Sequence, residues 1–107
     1  MKRLISAICV LFFLLPLSAQ ETYQKETFIS SRGDTLQYRL LQPENMKKSE
    51  KYPLVLFLHG AGERGNDNER QLTHGGQMFL NPVNREKYPA FVLAPQCSDC
   101  LLYTSDA

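Results

Sequence analysis

The chain has 107 residues, of which 43% are hydrophobic and 21% are charged. These values are ordinary for a globular protein, and the length allows one domain at most. The formal net charge is +1 and the basic residues form no stripe. This balance argues against a nucleic-acid partner.

The N-terminus has the layout of a secretory signal peptide. Two basic residues precede an apolar stretch over residues 4–17, which the small residues Ser18 and Ala19 follow. The alternative, a transmembrane anchor, needs a longer apolar run than this one. We predict that residues 1–19 are removed after Ala19 or Gln20, so that no membrane span remains and the protein is secreted or periplasmic. Loss of this segment changes the formal charge from +1 to −1.

The first half of the remaining chain predicts an antiparallel hairpin. Residues 28–30 and 36–40 are two strand-prone runs, and residues 31–35 between them have turn composition. Gly33 can adopt the positive φ that such a turn needs. In the second run Leu36, Tyr38 and Leu40 alternate with polar residues, which predicts that these three side chains form the buried face.

Two continuous apolar runs follow, at residues 54–58 and 90–95. Continuous rather than alternating apolarity is typical of strands that are covered on both faces. Between them we predict a polar loop over residues 66–70 and a short helix of one or two turns within residues 72–80. A strand–helix–strand order indicates parallel strands in an α/β fold.

The predicted helix has one weak point and one clear end. Leu72, Met78 and Phe79 would supply its apolar contacts. Glycines 75 and 76 weaken it, because glycine disfavours helix. The dipeptide at residues 81–82, Asn-Pro, is expected to end it.

The first apolar run leads directly into His59-Gly60-Ala61-Gly62. Acyl transfer through a serine creates an oxyanion that needs backbone N–H donors, and α/β-hydrolases take one of them from the loop after the third strand. Glycines on both sides of Ala61 allow close approach of bare backbone to a substrate. We predict that the N–H of Ala61, or secondarily of Gly62, is such a donor, and that His59 and Gly60 support the loop.

Three charged or titratable residues follow this loop, and two interpretations of them stay open. Glu63 and Arg64 either form a solvated pair or hold the loop and line a substrate entrance. His74 is either structural or exposed, or lies near the mouth of a pocket.

Residues 52–65 and 88–96 together resemble secreted bacterial carboxylesterases of the α/β-hydrolase superfamily, including feruloyl-esterase-like, phospholipase/carboxylesterase-like and prolyl-oligopeptidase-like members. The resemblance covers roughly residues 22–99. It implies a Ser-Asp-His triad with the serine in a Gly-x-Ser-x-Gly elbow, and no such elbow occurs in this chain. We therefore expect residues 20–99 to form the N-terminal part of an α/β-hydrolase domain with an incomplete sheet.

The resemblance implies a serine hydrolase that cleaves carboxylic esters through an acyl-enzyme, with a small-molecule or carbohydrate-linked ester as substrate and no metal or organic cofactor. The alternatives are a prolyl-oligopeptidase-like peptidase and a secreted binding module without enzymatic activity. The chain by itself is expected to be inactive, and its oligomeric state stays open.

The last eight residues, 100–107, look foreign to the rest. They resemble a reading-frame translation of the transposase adapter used in sequencing libraries. If so, the Cys-x-x-Cys spacing of Cys97 and Cys100 is accidental, and we expect neither a metal site nor a dithiol there.

Overall fold

The computed structural model describes residues 22–98, so the predicted signal peptide (residues 1–19) and the predicted adapter tail (residues 100–107) lie outside the described residues. Within them, one mixed sheet has the strand order β1-β2-β4-β3. The strands are β1 (Gln24–Ile29), β2 (Thr35–Leu41), β3 (Leu54–Leu56) and β4 (Phe91–Pro95).

The predicted hairpin is confirmed, since β1 and β2 pair antiparallel from Gln24 opposite Leu40 to Ile29 opposite Thr35. Gly33 has a φ of 87° at its tip, a backbone conformation that glycine adopts without steric cost. Ser30 Oγ accepts hydrogen bonds from the N–H groups of Arg32 and Asp34 at 3.3 and 3.1 Å. The first strand begins four residues earlier than its predicted start at residue 28.

The two apolar runs pair as parallel neighbours, as predicted: Val55 of β3 lies opposite Val92 of β4. The connection between them contains three 3₁₀ turns and one helix, α1. The turns span Ala61–Glu63, Arg70–Leu72 and Gly76–Leu80, and α1 spans Pro82–Lys87. No helix within residues 22–98 has the length and apolar character needed to cross a bilayer.

The helical turns expected within residues 72–80 are present as 3₁₀ turns and not as one α-helix: one ends at Leu72 and the other spans Gly76–Leu80. Gly75 takes a φ of 95° between them. The α-helix begins where we expected helix to end. Asn81 Oδ1 accepts from the N–H groups of Val83 and Asn84 at 3.0 and 3.3 Å, and Pro82 occupies the first helical position, an arrangement that favours helix initiation.

The buried face of β2 is the opposite of the predicted one. Arg39 and Leu41 are 2% and 3% exposed, whereas Leu36 is 43% exposed and Tyr38 and Leu40 are only half-buried. The alternation correctly predicts a strand, but polar Arg39 faces the core because its guanidinium donates to backbone carbonyls there.

Both apolar strands are covered on one face only within residues 22–98, so the burial on two faces that the apolar runs predict is not reached in this part of the chain, as an incomplete sheet implies. On the covered face, β4 contributes Val92 and Ala94 to a core that also contains Tyr23, Leu41 and Leu72. The 3₁₀ turns and the end of β3 supply further partly buried side chains, among them Phe57 and Phe79, whose rings meet edge to face at 5.7 Å. Met78, predicted as a contact, is exposed.

The other face of the sheet is apolar and open. Leu54 and Leu56 of β3 are 64% and 57% exposed, and Phe28 of β1 is 58% exposed. No element within residues 22–98 lies on this face, which is the physical reason for the one-sided burial. Uncovered apolar surface of this kind promotes association.

Candidate functional site

The loop that leaves β3 places two backbone N–H groups at the carboxyl end of a parallel strand pair. Gly60 is extended, with φ −79° and ψ 173°, and the 3₁₀ turn begins at Ala61. The N–H of Glu63 closes this turn on the carbonyl of Gly60 at 3.2 Å. The first N–H groups of a helical turn have no acceptor within it, and within residues 22–98 neither Ala61 nor Gly62 donates a hydrogen bond.

His59 ties this loop to the neighbouring strand. Its Nε2 accepts a hydrogen bond from the backbone N–H of Cys97 at 2.9 Å, and its Nδ1 lies 2.6 Å from the carbonyl oxygen of Gly60. Because Nε2 accepts, the ring proton is on Nδ1, which donates to Gly60. The Nε2 bond joins the ends of β3 and β4, the Nδ1 bond stays within the loop, and both ring nitrogens are thus occupied.

The residue after β4 holds the same loop from the other side. Gln96 is 4% exposed. Its side-chain oxygen accepts from the N–H of Asn68 at 2.6 Å. Its side-chain nitrogen donates to the carbonyl of Glu63 at 3.2 Å and to Oδ1 of Asp67 at 2.8 Å. A single amide therefore bonds to three points of the loop.

Asn68 is the centre of a buried polar network under the loop and lies within the polar loop predicted for residues 66–70. It is 5% exposed and has a φ of 54°, a conformation that Asn tolerates better than most residues. Its side-chain nitrogen donates to the carbonyl of Tyr38 at 3.1 Å, and its side-chain oxygen accepts from Gln71 at 2.5 Å. Asn68 thereby connects the loop to β2.

Arg39 supports this network from the sheet. Its Nε donates to the carbonyl of Asn68 at 2.6 Å and its Nη1 to the carbonyl of Tyr23 at 2.7 Å. Glu69 lies 3.7 Å from Nη2 and also pairs with Lys25 at 3.1 Å. Burial lowers the pKa of Arg39 from its ordinary value, and the charge of Glu69 opposes that shift.

Asp67 is the exposed acidic member of the network. Desolvation disfavours its ionised form, but hydrogen bonds from Gln96 and from the backbone N–H groups of Arg70 and Glu69 outweigh it and lower the pKa of Asp67. The two N–H groups donate to its Oδ1 at 3.0 Å from Glu69 and 3.2 Å from Arg70. The carboxylate thus accepts from the two backbone N–H groups at the start of the second 3₁₀ turn.

An open cavity of about 800 Å³ lies against the loop. Three of the four residues predicted for the site, His59, Gly60 and Ala61, line it, and Gly62 does not. A methyl group added at Gly62 would meet nothing within 4 Å, whereas one at Gly60 would lie 3.0 Å from Glu63 Oε2. A second cavity of about 710 Å³ beside α1 is lined by none of the residues predicted for the site.

The structure gives different outcomes for the three charged neighbours. The Glu63 side chain is only 14% exposed and lies 3.4 Å from His74, so it belongs to the loop rather than to a solvated pair. His74 is exposed. Arg64 is half-buried and lines the 800 Å³ cavity.

The cavity also includes Ser98, but nothing described activates its hydroxyl as a nucleophile, because the nitrogens of His59, the histidine on the same cavity, are both used. No group of three or more His, Cys, Asp or Glu residues within residues 22–98 could hold a metal ion.

Sequence reasoning missed the buried amides. Gln71 and Gln96 are 0% and 4% exposed, and each makes hydrogen bonds to residues that are distant in sequence. One local signal existed, namely the position of Gln96 at the carboxyl end of a parallel strand, where α/β folds place functional groups.

No protein-family model matches the chain, and no curated protein matches it. Among solved structures it is similar to a thermostable esterase, with 41% sequence identity and a TM-score of 0.69. The match covers 75% of this chain but 22% of the esterase chain.

This likeness supports an esterase-like hydrolase fold. The small mixed sheet of four strands is consistent with part of an α/β-hydrolase fold.

Proposed function

We propose that residues 22–98 are the N-terminal part of a secreted or periplasmic serine hydrolase that cleaves carboxylic esters, and that the N–H of Ala61 is one donor of its oxyanion hole. The observation that carries the proposal is an unpaired backbone N–H on the wall of an open cavity at the carboxyl end of a parallel strand. The 41% identity to a thermostable esterase adds support.

The proposed reaction follows from the charge that ester cleavage creates. A serine oxygen attacks the ester carbonyl carbon, and the carbonyl oxygen becomes an oxyanion in the tetrahedral intermediate. The Ala61 N–H would donate to that oxygen, and a second donor would follow the nucleophile elsewhere in the protein. Collapse of the intermediate expels the alcohol, which takes up the proton that the serine gave to the base of the triad, and leaves an acyl-serine. Water then hydrolyses the acyl-serine to the carboxylic acid and the free serine.

A proline substitution tests the donor directly. Ala61→Pro removes the N–H, and the backbone tolerates it, because Gly60 is extended as a residue before proline must be, and proline suits the first position of a helical turn. Loss of one oxyanion donor lowers kcat by about 10²–10³-fold. The control Ala61→Ser keeps the N–H and should retain most of the activity.

The assay requires the full gene product, by which we mean the whole protein encoded by the gene that carries this chain. Its hydrolysis of p-nitrophenyl acetate should be blocked by a serine-directed fluorophosphonate. Equal kcat values for the proline and serine variants would refute the role of Ala61. The 107-residue chain alone should show no such turnover, and serine-inhibitor-sensitive activity from it would contradict our assignment of the nucleophile to another part of the protein.

A further inference from the structure

We propose that Gln96 is a positioning residue of this hydrolase, because its side-chain amide fixes the loop that presents the Ala61 N–H to the cavity. The inference rests on the proposed function for its kinetic consequence. The loop geometry that motivates it is independent of any activity.

The backbone of Gln96 is itself fixed to the sheet. Its own backbone N–H donates to the carbonyl of Gln37 on β2 at 2.9 Å, and the residue is 4% exposed. Its amide therefore starts from a fixed point at the end of the sheet. A long polar side chain that is buried and fully bonded has little rotational freedom left.

The three bonds of the amide define where the 3₁₀ turn sits. The carbonyl of Glu63, which accepts from Gln96 at 3.2 Å, belongs to the residue whose N–H closes the turn on Gly60. The other two bonds, to Asn68 and Asp67, hold the chain beyond the turn. The amide thus fixes the far end of the turn, two residues after Ala61.

The next residue completes the attachment through its backbone. The N–H of Cys97 donates to His59 at 2.9 Å, and its carbonyl accepts from the N–H of Gly65 at 2.9 Å. Both ends of the segment 59–65 are therefore tied to Cys97, and Glu63 within the segment is tied to Gln96. Substitution of Gln96 removes its side-chain bonds to the loop, while the bonds of Cys97 to His59 and Gly65 can remain.

The amide acts both as donor and as acceptor, and this makes two substitutions informative. Gln96→Leu removes both functions. Gln96→Glu keeps an acceptor for Asn68 but directs a carboxylate at the Glu63 carbonyl and at the Asp67 carboxylate. Arg70 pairs with Asp67 at 3.5 Å and only partly offsets that repulsion. Protonation of the introduced carboxyl group restores a donor.

We expect Gln96→Leu to lower kcat of the full gene product by about 10²-fold, the effect of misplacing a catalytic group by about 1 Å. KM should change little, because an oxyanion donor acts on charge that develops in the transition state. Rates are normalised by active-site titration with a fluorophosphonate, so that loss of folded protein is not counted. The control Gln77→Leu, at an exposed position, should leave kcat unchanged.

Gln96→Glu should show a pH signature that a purely structural residue would not. The ratio of its kcat to the wild-type kcat should rise as the pH is lowered from 8 toward 5, because the introduced carboxyl group becomes a donor when protonated. Gln77→Glu should give a flat ratio. Glu63 and His59 lie near this amide in both proteins. Asp67 accepts a hydrogen bond from the amide at 2.8 Å and therefore faces the introduced carboxyl group; protonation of either carboxyl group restores a donor between the two, and the ratio rises in both cases.

The outcomes separate the two proposals. If the wild-type protein lacks serine-dependent turnover, the proposed function fails. Hydrogen exchange of the segment 59–68 then still tests the positioning, and exchange no faster in Gln96→Leu than in wild type overturns it. If the wild type is active, a normalised kcat unchanged in Gln96→Leu overturns the inference alone. If Gln96→Leu does not fold, a ratio of Gln96→Glu kcat to wild-type kcat that does not change with pH overturns the inference instead.

Discussion

The buried guanidinium of Arg39 allows the sharpest stability prediction. Arg39→Met replaces it with an unbranched apolar side chain that fits a similar space. Two carbonyl oxygens, those of Asn68 and Tyr23, lose donors that lie at 2.6 and 2.7 Å. Both residues are buried, so water does not readily replace the lost bonds.

The magnitude follows from these two bonds. A buried polar group left without a partner costs about 1–3 kcal/mol, which gives about 2–6 kcal/mol for the pair. Removing the guanidinium also removes its desolvation penalty, and we therefore expect a loss of about 3 kcal/mol. Glu69 adds no further cost, since it keeps its ion pair with Lys25 at 3.1 Å.

The measurement is urea unfolding of the full gene product, followed by far-ultraviolet circular dichroism. Arg32→Met at the exposed hairpin tip is the matched control and should stay within about 0.5 kcal/mol of wild type. Arg39→Lys keeps the charge but not the forked geometry, and should lie between the two. Equal unfolding midpoints for Arg39→Met and Arg32→Met would refute the reasoning.

Three other predictions concern the same fold. In Gly75→Ala the new Cβ would lie 2.8 Å from Phe57 at a φ of 95°. Overpacking should destabilise the protein by about 1–3 kcal/mol, and backbone strain should add about 1–2 kcal/mol. The melting temperature of Gly75→Ala should therefore be lower than that of Gly62→Ala, and equal melting temperatures would contradict this. Burial raises the pKa of Tyr23 from 10.0 to about 12. The stability contributed by its neutral phenol is therefore complete below pH 10.0 and is lost as the pH rises toward 12. The melting temperature of Tyr23→Phe should not show this loss at alkaline pH. The pKa of Asp67 is lowered from 3.8, so the stability that its carboxylate contributes is present above pH 3.8 and is lost as the pH falls through the lowered pKa. In Asp67→Asn the melting temperature should fall less steeply at acidic pH. An unchanged fall would argue against the hydrogen bonds of this carboxylate.

Local features of this protein could be predicted because their causes are local. The turn at Gly33 needs a positive φ that glycine supplies, and the apolar runs around Val55 and Val92 favour strands wherever they pack. The glycine-rich exit from β3 likewise indicated backbone N–H groups near Ala61. The start of α1 also has a local cause, namely the Asn81 cap and the following proline, although the same dipeptide was expected to end the preceding helical turns.

The errors arose where a distant contact decides the outcome. Alternation along β2 identifies two faces and not which of them is covered, and the pairing of Arg39 with carbonyls of Asn68 and Tyr23 reverses the expected choice. Continuous apolarity in β3 and β4 predicts two covered faces, yet within residues 22–98 the elements that lie between these strands pack on one side only.

Composition and local pattern therefore determined the strands, the hairpin turn and the position of the glycine loop, because φ/ψ preferences and side-chain periodicity act over a few residues. Only the tertiary structure determined which polar side chains are buried and what they bond to. Gln96 bonds to Asn68 across 28 positions of the chain, and Arg39 bonds to the same residue across 29. Such bonds exist only after the sheet has formed, because it is the sheet that brings these groups together and excludes the water that would otherwise compete for them.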